Sequence, residues 1–244
     1  GQAEEVYLED LARFPDNGWS LFGLAQSLRA QGKKTEAAEA QSRFETAWQY
    51  AQEGGRTGAG KVTVVTHPEN LQTAIFAGGC FWCMEPPYDH LPGIISTTVG
   101  YTGGHVENPS YEEVTSGETG HAEAVKIVFD STKISYAELL KVFWRNIDPT
   151  NPFGQFADRG SQYRTAIFYM DEHQKKDAEQ SKKDLEESGK FKDPIVTEIV
   201  KASEFYDAED YHQEFYKKNP LRYNSYKVGS GRAGYLKKTW GEEE

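Results

Sequence analysis

Between residues 73 and 170 the apolar pattern repeatedly switches between a two-residue and a helical period, and that order of segments constrains the fold more than any other feature of the chain. Thr73-Ala-Ile-Phe-Ala77 is a short apolar run ended by Gly78-Gly79 and reads as a buried strand. Helix-compatible residues run from Phe81 to Leu91 across Pro86-Pro87, so this helix is either short or takes its prolines in a first turn. Ile94 to Tyr101 is β-branched, and Glu123 to Phe129 alternates with Val125, Ile127 and Phe129 on one face, so two strands follow. Ser135-Tyr-Ala-Glu138 is a capping box opening a helix whose stripe is Leu139, Leu140, Phe143, Trp144 and Ile147. Gln162 to Met170 is the next strand. Strand, helix, strand, strand, helix, strand is the split β-α-β plan, an α+β, ferredoxin-like two-layer sandwich with both helices on one face of the sheet. Asp171 then caps a charged helix that Gly189 ends, Pro194 to Val200 alternates, and Tyr211, Phe215 and Tyr216 lie on a last helix stopped before Pro220. Two long loops, 102–120 and 148–161, leave the strands, and loops of that length in a small domain usually carry function.

The first 60 residues stand apart. Residues 51–60 are Gly-rich without a large apolar side chain, the composition of a flexible linker, which divides the chain into a helical segment 1–50, a linker 51–60 and a domain 61–244. Tyr7, Leu8, Leu11 and Phe14 share a helix face stopped by Pro15. Leu21, Leu24, Ala25 and Leu28 form a second face, Gly32 a stop, and Ala37, Ala38, Gln41 and Phe44 a third. The spacing resembles one tetratricopeptide unit preceded by the last helix of another. A helical hairpin without a binding role fits equally well, since such arrays need about three units to bury their faces.

The 27 basic residues against 38 acidic ones, net −11, argue against a polyanion partner such as nucleic acid. No run approaches the roughly 20 apolar residues of a membrane span. A cytoplasmic location is favoured, and an exported one stays open because the chain opens at Gly1 rather than Met. Only two cysteines occur, Cys80 and Cys83, which rules out a disulfide scaffold; the six histidines form no second ligand pair for structural zinc. A redox pair, or a nucleophile with a thiol that can resolve it, remains.

Cys80 lies at a Gly-rich strand-to-helix junction, where helix N-terminal amides are expected to stabilise its thiolate. Cys83 lies about one helical turn on, within reach of an oxidised Cys80. Phe81 and Trp82 between them could line a pocket for an uncharged group such as a thioether methyl, and core packing explains them equally well. Glu123 interrupts an apolar alternating strand. Buried there, it would have a raised pKa and serve as a general acid; at a sheet edge it would simply face water.

Taken together, Gly79-Cys80-Phe81-Trp82-Cys83-Met84-Glu85, Gly100-Tyr-Thr-Gly-Gly104, Asn108-Pro-Ser-Tyr111, Gly120-His-Ala-Glu-Ala124, Phe143-Trp144, Asp148-Pro149 and Asp158-Arg-Gly-Ser-Gln-Tyr163 resemble peptide methionine sulfoxide reductases of type A over about residues 73–240. The resemblance implies that the Cys80 thiolate attacks the sulfoxide sulfur and that Glu123 protonates the departing oxygen. It implies that Tyr111 and Tyr163 hydrogen-bond that oxygen, with Asp158 in the same polar cluster, and that Phe81 and Trp82 hold the substrate's methyl group. Methionine leaves, Cys80 becomes a sulfenic acid, Cys83 condenses with it to a disulfide, and an external dithiol such as thioredoxin resets the enzyme. The implied substrates are the S epimers of methionine sulfoxide, in oxidised proteins or free, and no metal or organic cofactor is implied.

Two departures from the family pattern matter. Many relatives carry further cysteines where this chain has Ala157 and Ser230, so intramolecular recycling here must use Cys83. The N-terminal helices lie outside the family's usual domain and are the candidate surface for a protein partner. Two other readings stand beside the reductase: a thioredoxin-like thiol-disulfide oxidoreductase, suggested by Cys-x-x-Cys alone, and a binding module with a decayed catalytic domain. The distant set Tyr111, Glu123, Asp158 and Tyr163, which plain dithiol exchange does not need, separates the first from these.

Overall fold

The alternating segments after residue 70 pair into a six-stranded sheet. The computed structural model describes residues 4, 6–8, 11, 18–53 and 70–241, and the chain divides into two units, Gly1–Thr66 and His67–Glu244. The strands of the second unit are β1 (Leu71–Gly78), β2 (Ile94–Thr102), β3 (Ala122–Asp130), β4 (Gly154–Gln155), β5 (Asp158–Arg159), β6 (Thr165–Tyr169), β7 (Glu198–Lys201) and β8 (Phe205–Asp207). Six of them form a sheet in the order β7-β6-β1-β3-β2-β8, and β4 pairs with β5 separately. The inner four, β6-β1-β3-β2, are mutually antiparallel, so β3 sits between β1 and β2 and splits the β-α-β unit as the segment order requires. β7 joins β6 in parallel and β8 extends the far edge against β2.

Alternation along the strands decides which residues meet the helices. Ala74 and Phe76 of β1, Val125, Ile127 and Phe129 of β3 and Ile167 of β6 share a face and pack on Leu139, Leu140, Phe143 and Ile147 and on Ala178. Most of these side chains come from the sheet and from the helix Tyr136–Arg145, and Ala178 from the helix Glu172–Glu187. The Phe76 ring lies 5.1 Å from Phe143 and 5.8 Å from Tyr88. Each of the Val, Ile, Leu and Phe side chains among them contributes about 1.5–3 kcal/mol by leaving water. The start of the helix Tyr136–Arg145 is set locally, with Ser135 accepting from the Glu138 amide and Glu138 accepting from the Ser135 amide. Asp171 likewise accepts the His173 and Gln174 amides.

Several elements differ from the sequence reading. The helix expected over 81–91 is two single turns, Phe81–Met84 and Pro86–Asp89, with Glu85 ending one and opening the other. A proline has no N–H to donate back to the preceding turn, so Pro86 starts a helix instead of continuing one. The strand expected from Gln162 begins at Thr165, and Ser161–Tyr163 is a 3-10 turn. Of Pro194–Val200 only the end pairs, in β7. Tyr211 lies outside the short helix Phe215–Lys218, and Pro220 opens a further helix, Pro220–Gly229, followed by Arg232–Trp240. The loop 102–120 contains a helix, Tyr111–Ser116, with its own capping box from Ser110 and Glu113.

In the first unit, helices Gly18–Ala30 and Lys34–Glu53 pack Leu21, Leu24, Ala25 and Leu28 against Ala37, Ala40 and Phe44, with Leu11 also buried. Ala40, not Ala38, faces this core, because positions 37, 40 and 44 follow the three-four spacing of one helix face; Leu8 is also exposed. Of the expected linker, Ala51–Glu53 belong to the helix and 54–60 lie outside the described residues, as do Phe14 and Pro15.

Candidate active site

The site begins where β1 ends. A side chain at Gly78 would place its Cβ 2.5 Å from the Met84 sulfur, and one at Gly79, with φ +80°, would lie 2.5 Å from the Gln155 Cβ. Two glycines therefore let the chain turn tightly into the single-turn helix Phe81–Met84, with Cys80 at its N-cap. Cys83 donates its amide to the Cys80 carbonyl at 3.0 Å. Both thiols are reduced and buried.

Glu123 sits opposite Tyr101 of β2, on the face of β3 that carries Val125 and Ile127. It is 1% exposed, and its Oε2 accepts the Phe81 amide at 3.0 Å, directly beside Cys80. Burial pushes this carboxyl up to about 8, the nearby Asp158 and Cys83 add to the rise, and the Phe81 amide opposes it. At neutral pH Glu123 therefore carries its proton.

The surroundings of Cys80 work against the expected thiolate. Burial drives the Cys80 thiol well above its ordinary range, and its hydrogen bond to Cys83 and the Glu123 carboxyl push the same way. The helix it caps is only one turn long and gives its first amide to Glu123, so little of a helix dipole is left for the sulfur. Cys83 moves the other way. The hydrogen bond from Cys80 lowers it most, and the positive charges of Arg232 and Lys227 add to this against burial.

Three phenols surround the pair. Tyr111 opens the helix Tyr111–Ser116, and burial together with Glu123 and Cys80 raises its hydroxyl to about 12. Tyr163 ends the 3-10 turn and is raised further by burial and the same two groups. Tyr226, from the helix Pro220–Gly229, reaches Cys80 and donates a hydrogen bond to the Asp158 carboxylate. Burial holds Asp158 above the usual carboxylate range, while Tyr226 and Arg232 pull it back.

The aromatic pair between the cysteines divides. Phe81 is 1% exposed, its ring 5.0 Å from His212 and 5.9 Å from Tyr101, and so lies behind the site wall. Trp82 is half-buried, stacks on Phe215 at 3.7 Å and 5°, and donates its indole N–H to His212 Nδ1 at 3.0 Å. His212 is lowered by burial and stays neutral. Glu209 accepts from the Tyr101 hydroxyl and the Tyr111 amide, fixing where Tyr111 begins its helix.

Thus Cys80, Cys83, Glu123, Tyr111, Tyr163 and Asp158 converge, Trp82 forms one wall and Phe81 supports it. Sequence reading missed Tyr226, His212, Glu209 and Arg232, which come from the last 36 residues; the crowding of tyrosines in 205–226 was the one local signal. Among the described residues no group of three His, Cys, Asp or Glu side chains could hold a metal, and no helix is long and apolar enough to cross a membrane. The arrangement can present a thiol and a neutral carboxylic acid to one polar, oxygen-bearing centre, with a second thiol in reserve.

The family model for peptide methionine sulfoxide reductase matches residues 72–244. The chain is 60% identical over 173 residues to peptide methionine sulfoxide reductase MsrA of Bacillus subtilis, covering 71% of this chain and 98% of that protein. It is 61% identical over 168 residues to the Ligilactobacillus salivarius MsrA, covering 69% and 97%. Among solved structures, reduced Mxr1 from Saccharomyces cerevisiae aligns with a TM-score of 0.60 at 32% identity, over 65% of this chain and 91% of that one. Methionine sulfoxide reductase A of Corynebacterium diphtheriae aligns with a TM-score of 0.56 at 35% identity, over 64% and 77%.

Proposed function

The chain belongs to the peptide methionine sulfoxide reductase family, and from that premise we propose which of its residues carry the reaction. The enzyme reduces methionine sulfoxide to methionine. Cys80 is the nucleophile. Glu123 is the general acid, and its burial inside an apolar strand, beside the Cys80 turn and protonated at neutral pH, is the observation that carries this reading. Tyr111 and Tyr163 donate to the sulfoxide oxygen, Asp158 with Tyr226 closes the polar side, and Trp82 with Phe81 behind it receives the methyl group.

Glu123 protonates the oxygen as the Cys80 sulfur attacks, and the proton of the neutral Cys80 thiol refills Glu123. The protonated oxygen then passes from the substrate sulfur to the Cys80 sulfur as the bond between the two sulfurs breaks, so that methionine leaves, reduced by two electrons, and Cys80 is left oxidised as a sulfenic acid. Cys83 then forms the disulfide with loss of water, and an external dithiol of the thioredoxin type returns both thiols with two electrons and two protons. No prosthetic group enters this scheme. The assigned catalytic domain is 61–244, and the helices of residues 1–50 are the candidate surface for a protein partner.

A thiol-disulfide exchanger would need neither the acid nor the phenols. The test is methionine formation from separate S and R sulfoxide epimers of a blocked methionine, driven by dithiothreitol, in wild type, Cys80→Ser and Glu123→Gln. Turnover of the S epimer alone is expected, abolished by Cys80→Ser and lowered by about 10²-fold or more in Glu123→Gln. Full turnover by Cys80→Ser, or an unchanged rate in Glu123→Gln, would overturn the assignment.

A further inference from the structure

Arg232 is a buried cation with no carboxylate within ion-pair distance among the described residues, an arrangement that costs free energy unless the site uses it. Its side chain, 2% exposed, comes from the first turn of the helix Arg232–Trp240. Nη2 donates to the Gly78 carbonyl at 2.8 Å, and Nη1 to the Asn146 carbonyl at 2.5 Å and the Met84 sulfur at 3.6 Å. The guanidinium also lies over the Phe156 ring, 4.6 Å from its centroid. Gly78 is two residues before Cys80, and Met84 directly follows Cys83. One planar fork thus grips both ends of the reactive loop, and every group it grips is neutral.

We infer that Arg232 is a positioning residue for disulfide formation: it holds the ends of the Cys80–Cys83 loop and supplies the fixed positive charge against which Cys83 gives up its proton. In this step the Cys83 thiolate attacks the Cys80 sulfenic sulfur; the S–S bond forms, the Cys80 S–O bond breaks, and the hydroxide leaves as water with the proton that Cys83 released. The sulfenic sulfur is reduced as Cys83 is oxidised, so no outside oxidant is needed. The other groups facing Cys83 are the Cys80 thiol, the neutral Glu123, the Asp158 carboxyl, the Tyr223 and Tyr226 hydroxyls and the half-exposed Lys227. Trp82 and Phe215 close the remaining side, with the Arg222 guanidinium 5.7 Å from each ring centroid and the Tyr216 phenol beside them. Asp158 opposes the thiolate, and Lys227 acts with Arg232 from a wetter position.

This inference rests on Cys83 being the resolving thiol, and the experiment separates the two. Full-length wild type, Arg232→Gln, Arg232→Lys and Cys83→Ser are mixed with a blocked S methionine sulfoxide without reductant, from pH 6 to 9. Methionine, dimedone-trapped sulfenic acid and free thiols are followed in time. Methionine formation is measured first in each variant, and disulfide formation is timed from the sulfenic acid that it leaves on Cys80. In Arg232→Gln the disulfide should form about tenfold more slowly at neutral pH, with the rise of that rate displaced upward by about one pH unit. Arg232→Lys, which keeps the charge, should keep the wild-type profile, and Arg232→Met, which removes the charge but keeps an unbranched side chain, serves in place of Arg232→Gln if the latter does not fold. An unchanged profile in Arg232→Gln, or a displaced one in Arg232→Lys, overturns the inference, since a purely structural clamp would change the yield and not the pH dependence. Cys83→Ser must accumulate sulfenic acid; if it does not, the resolving role fails and the Arg232 inference falls with it.

Discussion

Replacing Glu123 by Gln should make the protein less active and, above neutral pH, more stable. Glu123 is 1% exposed and its acid is raised from 4.5 to about 8 by burial. Below 4.5 the carboxyl is protonated in both the folded and the unfolded chain and costs nothing. As pH rises from 4.5 towards 8, the unfolded chain releases the proton while the folded one keeps it, so stability falls by about 1.4 kcal/mol per unit. Above 8 both states are ionised and the loss levels off. Between pH 5 and 8.5 this single group should remove about 4 kcal/mol from the wild type. Gln keeps an oxygen to accept the Phe81 amide and has no proton to lose. Urea unfolding of wild type and Glu123→Gln in dithiothreitol, at both pH values, isolates the effect. Glu85, raised to about 7 by burial, contributes a slope of the same sign that is common to both proteins and cancels in the difference. Stability curves that run parallel with pH would mean that Glu123 is ionised in the folded enzyme at neutral pH, and its role as acid would go with it.

Cys83→Ser, with thioredoxin as the sole reductant, should yield about one methionine per chain and then stop, as counted by product formation. Undiminished turnover would show that the external dithiol reduces the sulfenic acid directly. His212→Phe removes the acceptor of the Trp82 indole N–H, and the loss of about 1–2 kcal/mol of hydrogen bonding should appear as a KM raised about tenfold with kcat little changed, in steady-state kinetics. Gly79→Ala forces a side chain into φ +80° against Gln155 and should lower the urea midpoint by the equivalent of about 1–3 kcal/mol. Phe143→Ala, fully buried against Phe76 in the core between sheet and helix, should cost about 3–5 kcal/mol in the same assay.

Where structure follows from neighbours in the chain, it was legible in the residues. The Ser135–Glu138 box, the Asp171 cap and the β3 face of Val125, Ile127 and Phe129 all stand where their spacing puts them. Elements set by their surroundings were not. Tyr163 turns in a 3-10 helix though its residues suit a strand, and β8 exists only because β2 offers an edge to pair with. The helices after Pro220 were hidden because proline reads as a stop and a start alike.

By itself the sequence determined the order of elements, the turn that presents Cys80, and the set of motifs that names the family, because each depends on residues close together in the chain. The tertiary structure alone decided the state of those groups. The distance from Cys80 to Tyr226, His212 and Arg232 in sequence is about 130–150 residues, and no local pattern encodes it. The same Cys80 that a helix N-terminus would ionise is kept neutral by burial, and Glu123, which could equally have faced water, is closed in and protonated. Protonation depends on solvent exclusion, and solvent is excluded only when distant segments close over a site.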